Sequence, residues 1–305
     1  MIDAPLITIG ITCFNAADTI DRAIGSAVAQ TYPNIQIIVI DDCSTDNSHN
    51  LINAYKSRIN NLEIIRHEKN RGYPGALNSI LHAAKGQYIA FFDDDDFSEN
   101  DRLQRQYDYL LQSEKRLKTK NIFCYSNRTI VKGNPPAPSH VSMAIGRHAP
   151  EPYGESVADY LLWRTSAKQF TWGMFGSCTM FVRKESFSAL GDFDENFRRC
   201  AEWDMAVRAA FQGYYFIAVD APLVTQYKTA TSDKAGKTPL KYRLMLVNKY
   251  KDYLKKNHSY AGAIMLAHAK FYGNKKKKIK NLFYRWIAYS IAAPSLIERK
   301  MAWKK

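Results

Sequence analysis

Short apolar, β-branched runs alternate with helical patterns over residues 6–96, and two of the runs stop abruptly at aspartates. Leu6 to Thr12 reads as a buried strand, and Asp18 to Gln30 follows with Ile20, Ala23, Ile24, Ala27 and Val28 at helical spacing. Asp18 is the expected N-cap of that helix. Ile35 to Ile40 is a second strand ending in Asp41-Asp42, Asp46 to Tyr55 a helix, and Leu62 to Arg66 a third strand. After the turn Asn70–Gly75, Ala76 to Ala84 is helical, and Tyr88 to Phe92 is a fourth strand that stops at Asp93-Asp94-Asp95-Asp96. This rhythm predicts right-handed βαβ units, hence an α/β fold with a mostly parallel central sheet flanked by helices. Ligands bind such sheets beyond the carboxyl ends of the strands, so the acids are expected to gather at the binding edge.

The rest of the chain is read more coarsely. A helix over Glu99 to Gln112 leads to a strand from Ile122 to Val131, then to an irregular, Pro-rich stretch over 133–155. Strand, helix and turn return between Phe175 and Phe193, followed by a helix over Glu202 to Gln212 and a strand over Tyr214 to Val219. Residues 241–305 carry helical patterns without a strand signal. The expected division is a catalytic domain over 1–225 and a basic, mainly helical extension over 226–305.

Charge separates those two parts. The formal net charge is +14, yet residues 241–305 hold 17 Lys and Arg against Asp252 and Glu298 alone. The first 240 residues hold 26 basic and 27 acidic side chains. A nucleic-acid binder spreads its cations over the binding domain, and a neutral body with an acidic cluster repels phosphate, so no nucleic acid is expected as partner. The five cysteines include no CxxC pair, which argues against a zinc site or a dithiol and for reduced thiols. The start Met1-Ile2-Asp3-Ala4-Pro5 lacks the pattern of a signal peptide, and no apolar run has the length of a membrane span. The expected location is cytoplasmic, peripheral on the inner face of the cell membrane.

Four consecutive aspartates repel one another unless a cation or several donors hold them. Carboxylates at a strand end suit Mn²⁺ or Mg²⁺, which takes one or two of them together with substrate phosphates. Asp96 alone has a simpler reading, as an acid complementing a helix N-terminus.

Six ordered motifs within the first hundred residues, and a seventh further on, resemble those of family 2 glycosyltransferases. Thr12-Cys13-Phe14-Asn15 is similar to that family's T-x-[YF]-N, and Gln30-Thr31-Tyr32-Pro33 to its Q-x-Y-x stretch. Val39 to Asp46 resembles VDDxSTD, and Tyr88 to Asp96 the segment bearing the DxD motif. Asn70-Arg71-Gly72 and Ala84-Lys85-Gly86 fall in their usual places, and Gly191 to Glu195 resembles the GGFDE turn. The resemblance implies the GT-A fold and an inverting, metal-dependent transfer from a nucleotide-sugar donor, a UDP-sugar first among them. A glycan or lipid-linked saccharide in surface polysaccharide synthesis would be the acceptor. It implies that Thr12 and Asn15 meet the nucleoside and that Asp41 or, preferably, Asp42 holds the base. Arg71 would lie near the base or phosphates, Asp93 and Asp94 against the nucleotide, and Asp95 on the metal. The family's E-D-x-D segment stands here as Ala201-Glu202-Trp203-Asp204, which leaves the general base between Glu202 and Asp204. Ala76-Leu77-Asn78 lacks the usual arginine of A-R-N, so Arg71 or Lys85 is expected to meet the phosphates, with Lys228 and Lys234 as further cations.

Two rivals weigh less. A nucleotidyltransferase of similar fold would show a Gly-rich, cationic N-terminal loop, and a non-catalytic polybasic binding protein leaves the acidic clusters unexplained. In the basic tail, Lys275 to Lys278 precede Ile279, Leu282, Phe283, Trp286 and Ile287 at helical spacing, with Trp303 near the end. A basic amphipathic helix of this kind is expected to meet a membrane surface through residues 275–305. Its bland alternative is a helix packed onto the body.

Overall fold

The computed structural model describes residues 4–163, 167–228 and 237–302; Lys234 and Trp303 lie outside the described residues. Strands β1 (Ile7–Cys13), β2 (Ile35–Asp41), β3 (Leu62–Arg66) and β4 (Tyr88–Asp93) run parallel in the order β3-β2-β1-β4. All of β1 and all but the first residue of β2 are buried, as near-continuous apolar strands require when both faces are covered. Helices α1 (Ile20–Val28), α2 (Ser48–Tyr55) and α3 (Gly72–Ala83) make the crossovers. Ile20, Ala23, Ile24 and Ala27 of α1 face the core as their spacing predicts, whereas Val28 is exposed and Thr19, not Asp18, is the N-cap. Gly10 lets α3 approach β1, since a Cβ there would stand 2.2 Å from Ile80 Cγ2.

The parallel arrangement has a direct consequence for the acids. Thr12 pairs with Asp93, and Cys13 with Asp41, so carboxylates far apart in sequence share one edge of the sheet.

Beyond β4 the sheet is mixed. After β5 (Asp96–Ser98), α4 (Arg102–Leu117), β6 (Ile122–Lys132), β7 (Ala137–Ser142) and α5 (Glu155–Trp163) come β8 (Phe181–Arg183), α6 (Glu185–Leu190), α7 (Ala201–Phe211) and β9 (Tyr215–Tyr227). β8 is antiparallel to both β4 and β6, β9 is parallel to β6, and β5 is antiparallel to β9. Part of the stretch expected to be irregular is strand β7, an exposed antiparallel partner of β6. β9 runs well past Val219, and Pro222 fits because the register against β6 shifts around Asn127.

The chain forms two compact units, Met1–Tyr153 with Phe170–Thr229, and Gly154–Gln169 with Ala230–Lys305. In the second, α8 (Thr238–Lys249), α9 (Lys251–Lys256), α10 (Tyr260–Asn274) and α11 (Lys278–Ala302) are joined by α5. Buried Asp159 of α5 accepts from the Tyr253 hydroxyl at 2.8 Å, and Arg243 donates to the Leu162 carbonyl at 3.0 Å. Among the described residues, no helix is long and apolar enough to cross a membrane.

Candidate active site

The loops that leave β1 and β2 are stitched by short polar side chains. Asn15, at φ 51°, accepts from the Thr45 N–H at 2.8 Å, while its own N–H donates to Ser44 Oγ at 3.0 Å. Asp41 is fully buried and holds three partners: the Ser44 N–H at 2.9 Å, His49 Nδ1 at 2.9 Å and Arg66 Nε at 3.3 Å. Asp42, almost as buried, lies 2.7 Å from His67 Nδ1 and accepts the Arg71 and Gly72 N–H groups at 2.8 Å each. It therefore caps the start of α3 and satisfies donors that a helix N-terminus leaves unpaired.

The four aspartates split among different tasks because the chain turns within the run. Asp93 ends β4 and accepts from the Tyr73 hydroxyl at 3.0 Å; that hydroxyl also lies 2.6 Å from Ser177 Oγ. Asp94 accepts the Phe14 N–H at 2.9 Å, tying the β4 end to the β1 loop. The Asp95 carbonyl accepts from Arg22. Asp96 is not at a helix start: it opens β5, is buried, and receives Gln226 Nε2 at 3.4 Å. Burial first, then the neighbouring carboxylates, push Asp94 and Asp96 up to about 8, and burial also raises Asp93.

This geometry bears on a divalent cation. Asp93, Asp96 and Cys178 offer ligand atoms within 4.8 Å of one another. Asp96 Oδ1 is buried without a hydrogen-bond partner among the described residues, which suits an oxygen awaiting a hard cation. Cys178 does not suit one: burial raises its thiol, and the neutral sulfur lies 3.1 Å from Arg128 Nη1.

The carboxylates of Glu202 and Asp204 part company on α7, because residues two apart face different sides of a helix. Half-buried Glu202 faces the acidic edge: burial raises its carboxyl, Asp93 adds to the rise, and Arg199 and Arg128 oppose it. Asp204 is fully buried and receives Arg208 Nε at 3.0 Å. Arg208 also donates to the carbonyls of Leu190 and, at 2.7 Å, Asp192. Asp204 thus ties α7 to the Gly191–Glu195 turn.

That turn is held from the other side by Asn78, whose amide donates to the Phe193 carbonyl at 2.9 Å and accepts the Phe193 N–H at 2.8 Å. Glu195 in turn pairs with Arg71 at 2.5 Å, and Arg71 Nη1 reaches Ser79 Oγ at 3.1 Å. Lys85 is the expectation that fails. It precedes β4 and pairs with Glu63 at 3.6 Å, so it stands at the opposite end of that strand from Asp93. Six residues of extended chain put about 20 Å between the two ends, too far for a shared phosphate.

Arg128, Arg102, Tyr73 and Cys178 join the acids without having been singled out by the sequence. Arg128 offered one signal, a cation in an otherwise buried strand; its Nε has no hydrogen-bond partner among the described residues. Arg102 is completely buried on α4, donating to the Phe91 carbonyl, Ser98 and Gln106 at 3.1, 2.9 and 3.0 Å. Burial lowers it to about 10, while Asp93 and Asp96 favour its charge.

Residues 8–154 match the model of the family described as glycosyl transferase family 2. That segment belongs to the family. Among curated relatives, an Escherichia coli UDP-Glc:alpha-D-GlcNAc-diphosphoundecaprenol beta-1,3-glucosyltransferase, WfaP, is 39% identical over 127 residues, 42% of this chain and 47% of that protein. The amylovoran biosynthesis glycosyltransferase AmsB of Erwinia amylovora is 24% identical over 254 residues, 82% of this chain and 79% of its own. The chain spans less than half the length of several curated relatives it matches, 43% and 44% for two others. The crystal structure of S. aureus TarS 1–349 in complex with UDP-GlcNAc superposes with a TM-score of 0.62 at 14% identity, covering 93% of this chain and 90% of that one. The family 2 segment thus ends close to Tyr153, where the first stretch of the first compact unit ends, while α7 and its Glu202 lie beyond that segment in the unit's second stretch, Phe170–Thr229.

Proposed function

We propose that this chain is an inverting, metal-dependent glycosyltransferase that moves a sugar from a nucleoside-diphospho-sugar to a hydroxyl of a surface glycan or lipid-linked saccharide. The observation that carries the reading is Glu202: a carboxyl on the first turn of α7, electrostatically coupled to Asp93 at the far end of β4 and raised by burial. Inversion in one displacement needs a base for the acceptor proton, and a carboxyl raised toward the working pH is suited to that task.

Glu202 takes the acceptor proton and Asp204 positions α7. Thr12 and Asn15 shape the nucleoside side, and Asp41 and Asp42 hold the loops there, with Asp42 the residue that meets the base. Asp93 and Asp94 would face the nucleotide and Asp95 would hold Mn²⁺ or Mg²⁺, with the partnerless oxygen of Asp96 as a further ligand candidate. The cation, when bound, neutralises charge developing on the leaving diphosphate. Arg71 and Arg128 supply the nearby positive charge. A UDP-sugar is the donor of choice because the E. coli relative is named for UDP-Glc and the TarS neighbour binds UDP-GlcNAc. The diphosphoundecaprenol acceptor in the relative's name favours a lipid-linked acceptor here.

Thermal shift with UDP-, GDP- and dTDP-sugars, with and without Mn²⁺, tests the donor. Metal-dependent stabilisation by one nucleotide is expected. Absence of any response, together with full transfer by Glu202→Gln, would sink the reading.

A further inference from the structure

The helix α11 is amphipathic in an unusual sense, because the face it turns away from α10 is apolar. Its inner side packs: Ala288 is buried, and Tyr284 stacks on Tyr272 and His268 with ring centroids 5.4 and 5.2 Å apart. Asn281 bonds back to the Ala269 carbonyl at 2.6 Å. Four large residues stay in the open, with Ile279 86%, Leu282 65%, Phe283 55% and Trp286 69% exposed, while Ile287 is half-buried. At 100° per residue these four share one side of the helix, within about 100° of arc. Lys278 and Arg285 fall along one border of that strip and Lys280 along the other. Lys275, Lys276 and Lys277 precede it, all exposed, and residues 275–297 contain no Asp or Glu.

We infer that this outer face lies in an anionic phospholipid surface, with Ile279, Leu282, Phe283 and Trp286 in the acyl boundary and the flanking lysines and Arg285 at the headgroups. The arrangement answers both halves of such a surface. Long cationic side chains reach outward from an apolar strip to phosphates, and Trp favours the boundary between hydrocarbon and water. The alternatives satisfy one half only. A second copy of the helix covers the apolar strip but sets a cationic border against itself with no acid in 275–297 to offset it. Nucleic acid neutralises the lysines but leaves four large apolar side chains in water. The inference stands on α10 and α11 alone and does not depend on the transfer reaction.

Flotation of the full chain with vesicles tests it. Protein is expected to float with vesicles of equal parts phosphatidylglycerol and phosphatidylcholine, and not with phosphatidylcholine alone. Serine at Ile279, Leu282, Phe283 and Trp286 together should lower the partition coefficient at least tenfold, while thermal unfolding changes little because all four are more than half exposed. Reversal of three border charges, Lys278→Glu, Lys280→Glu and Arg285→Glu, should lower it at least a hundredfold at low salt, since loss of each cation alone is worth about fivefold. A vesicle-induced blue shift in fluorescence should disappear in Trp286→Phe. Equal flotation of the parent and serine variants overturns the inference. So does a dimer that the serine variant dissociates while neither protein floats, or retention on duplex DNA in place of vesicles.

Discussion

Asn78→Ala should cost about 3–4 kcal/mol of stability without removing any group proposed to touch substrate. Asn78 is 3% exposed and pairs with both backbone groups of Phe193 at 2.8 and 2.9 Å, with a third bond to Glu195 at 3.2 Å. The two backbone bonds contribute on the order of 1 kcal/mol each, and a buried N–H left without a partner adds about 1–2 kcal/mol. In a folding unit of this size that corresponds to a fall in Tm of roughly 6–16 °C, readable by calorimetry or circular dichroism. Loosening the turn should also free Glu195 from Arg71, so KM for the donor rises a few-fold while kcat changes little. Glu195→Gln provides the control: its pair with Arg71 is 35% and 41% exposed, so Tm should move little while the KM effect persists. A Tm loss below about 3 °C for Asn78→Ala, about 1 kcal/mol on the same scale, would refute the claim that Asn78 clamps the turn.

Four further outcomes are expected. Glu202→Gln should lower kcat by about 10²–10⁴-fold, the usual contribution of a general base, with Tm preserved. The deprotonated base is the active form and its carboxyl is raised, so activity should fall on acidification at a higher pH than an ordinary Glu gives; Arg128→Gln should move that limb up further in a pH–rate profile. Asp204→Asn, which keeps the shape and a hydrogen-bond acceptor for Arg208, should retain most of kcat, and a loss equal to that of Glu202→Gln would make Asp204 the base. In chelator-treated protein, Asp94 and Asp96 bind protons more tightly folded than unfolded, so stability is greatest below about pH 4 as far as these groups act and is lost as pH rises toward 8; a urea-melt series should show this decline, and Mn²⁺ should restore stability at pH 8.

Much of the first half was legible because parallel strands buried on both faces leave an uninterrupted apolar signal. Ile7 to Cys13, Ile35 to Asp41 and Tyr88 to Asp93 are such runs, and their aspartate endings were readable as a common edge. The later strands were harder. β8 is three residues long, and β9 contains Pro222, which reads as a break until a register shift on β6 accommodates it. Arg128 and Arg102 were missed for a related reason: a buried arginine has the same letter as a surface one, and only neighbours such as Asp93 and Asp96 distinguish them.

The sequence by itself determined the alternation of strands and helices, the clustering of acids at strand ends and the concentration of positive charge in the tail. These are local or compositional properties, carried by spacing and residue type. Only the tertiary structure decided which acids act together, because that depends on chain turns and helix phase. It separated Asp96 from a helix start, turned Glu202 toward Asp93 while sealing Asp204 against Arg208, and removed Lys85 to the other end of β4. In α11 it divided one apolar pattern into an inner side that packs and an outer side that stays exposed, a distinction set by the position of α10 and invisible to periodicity.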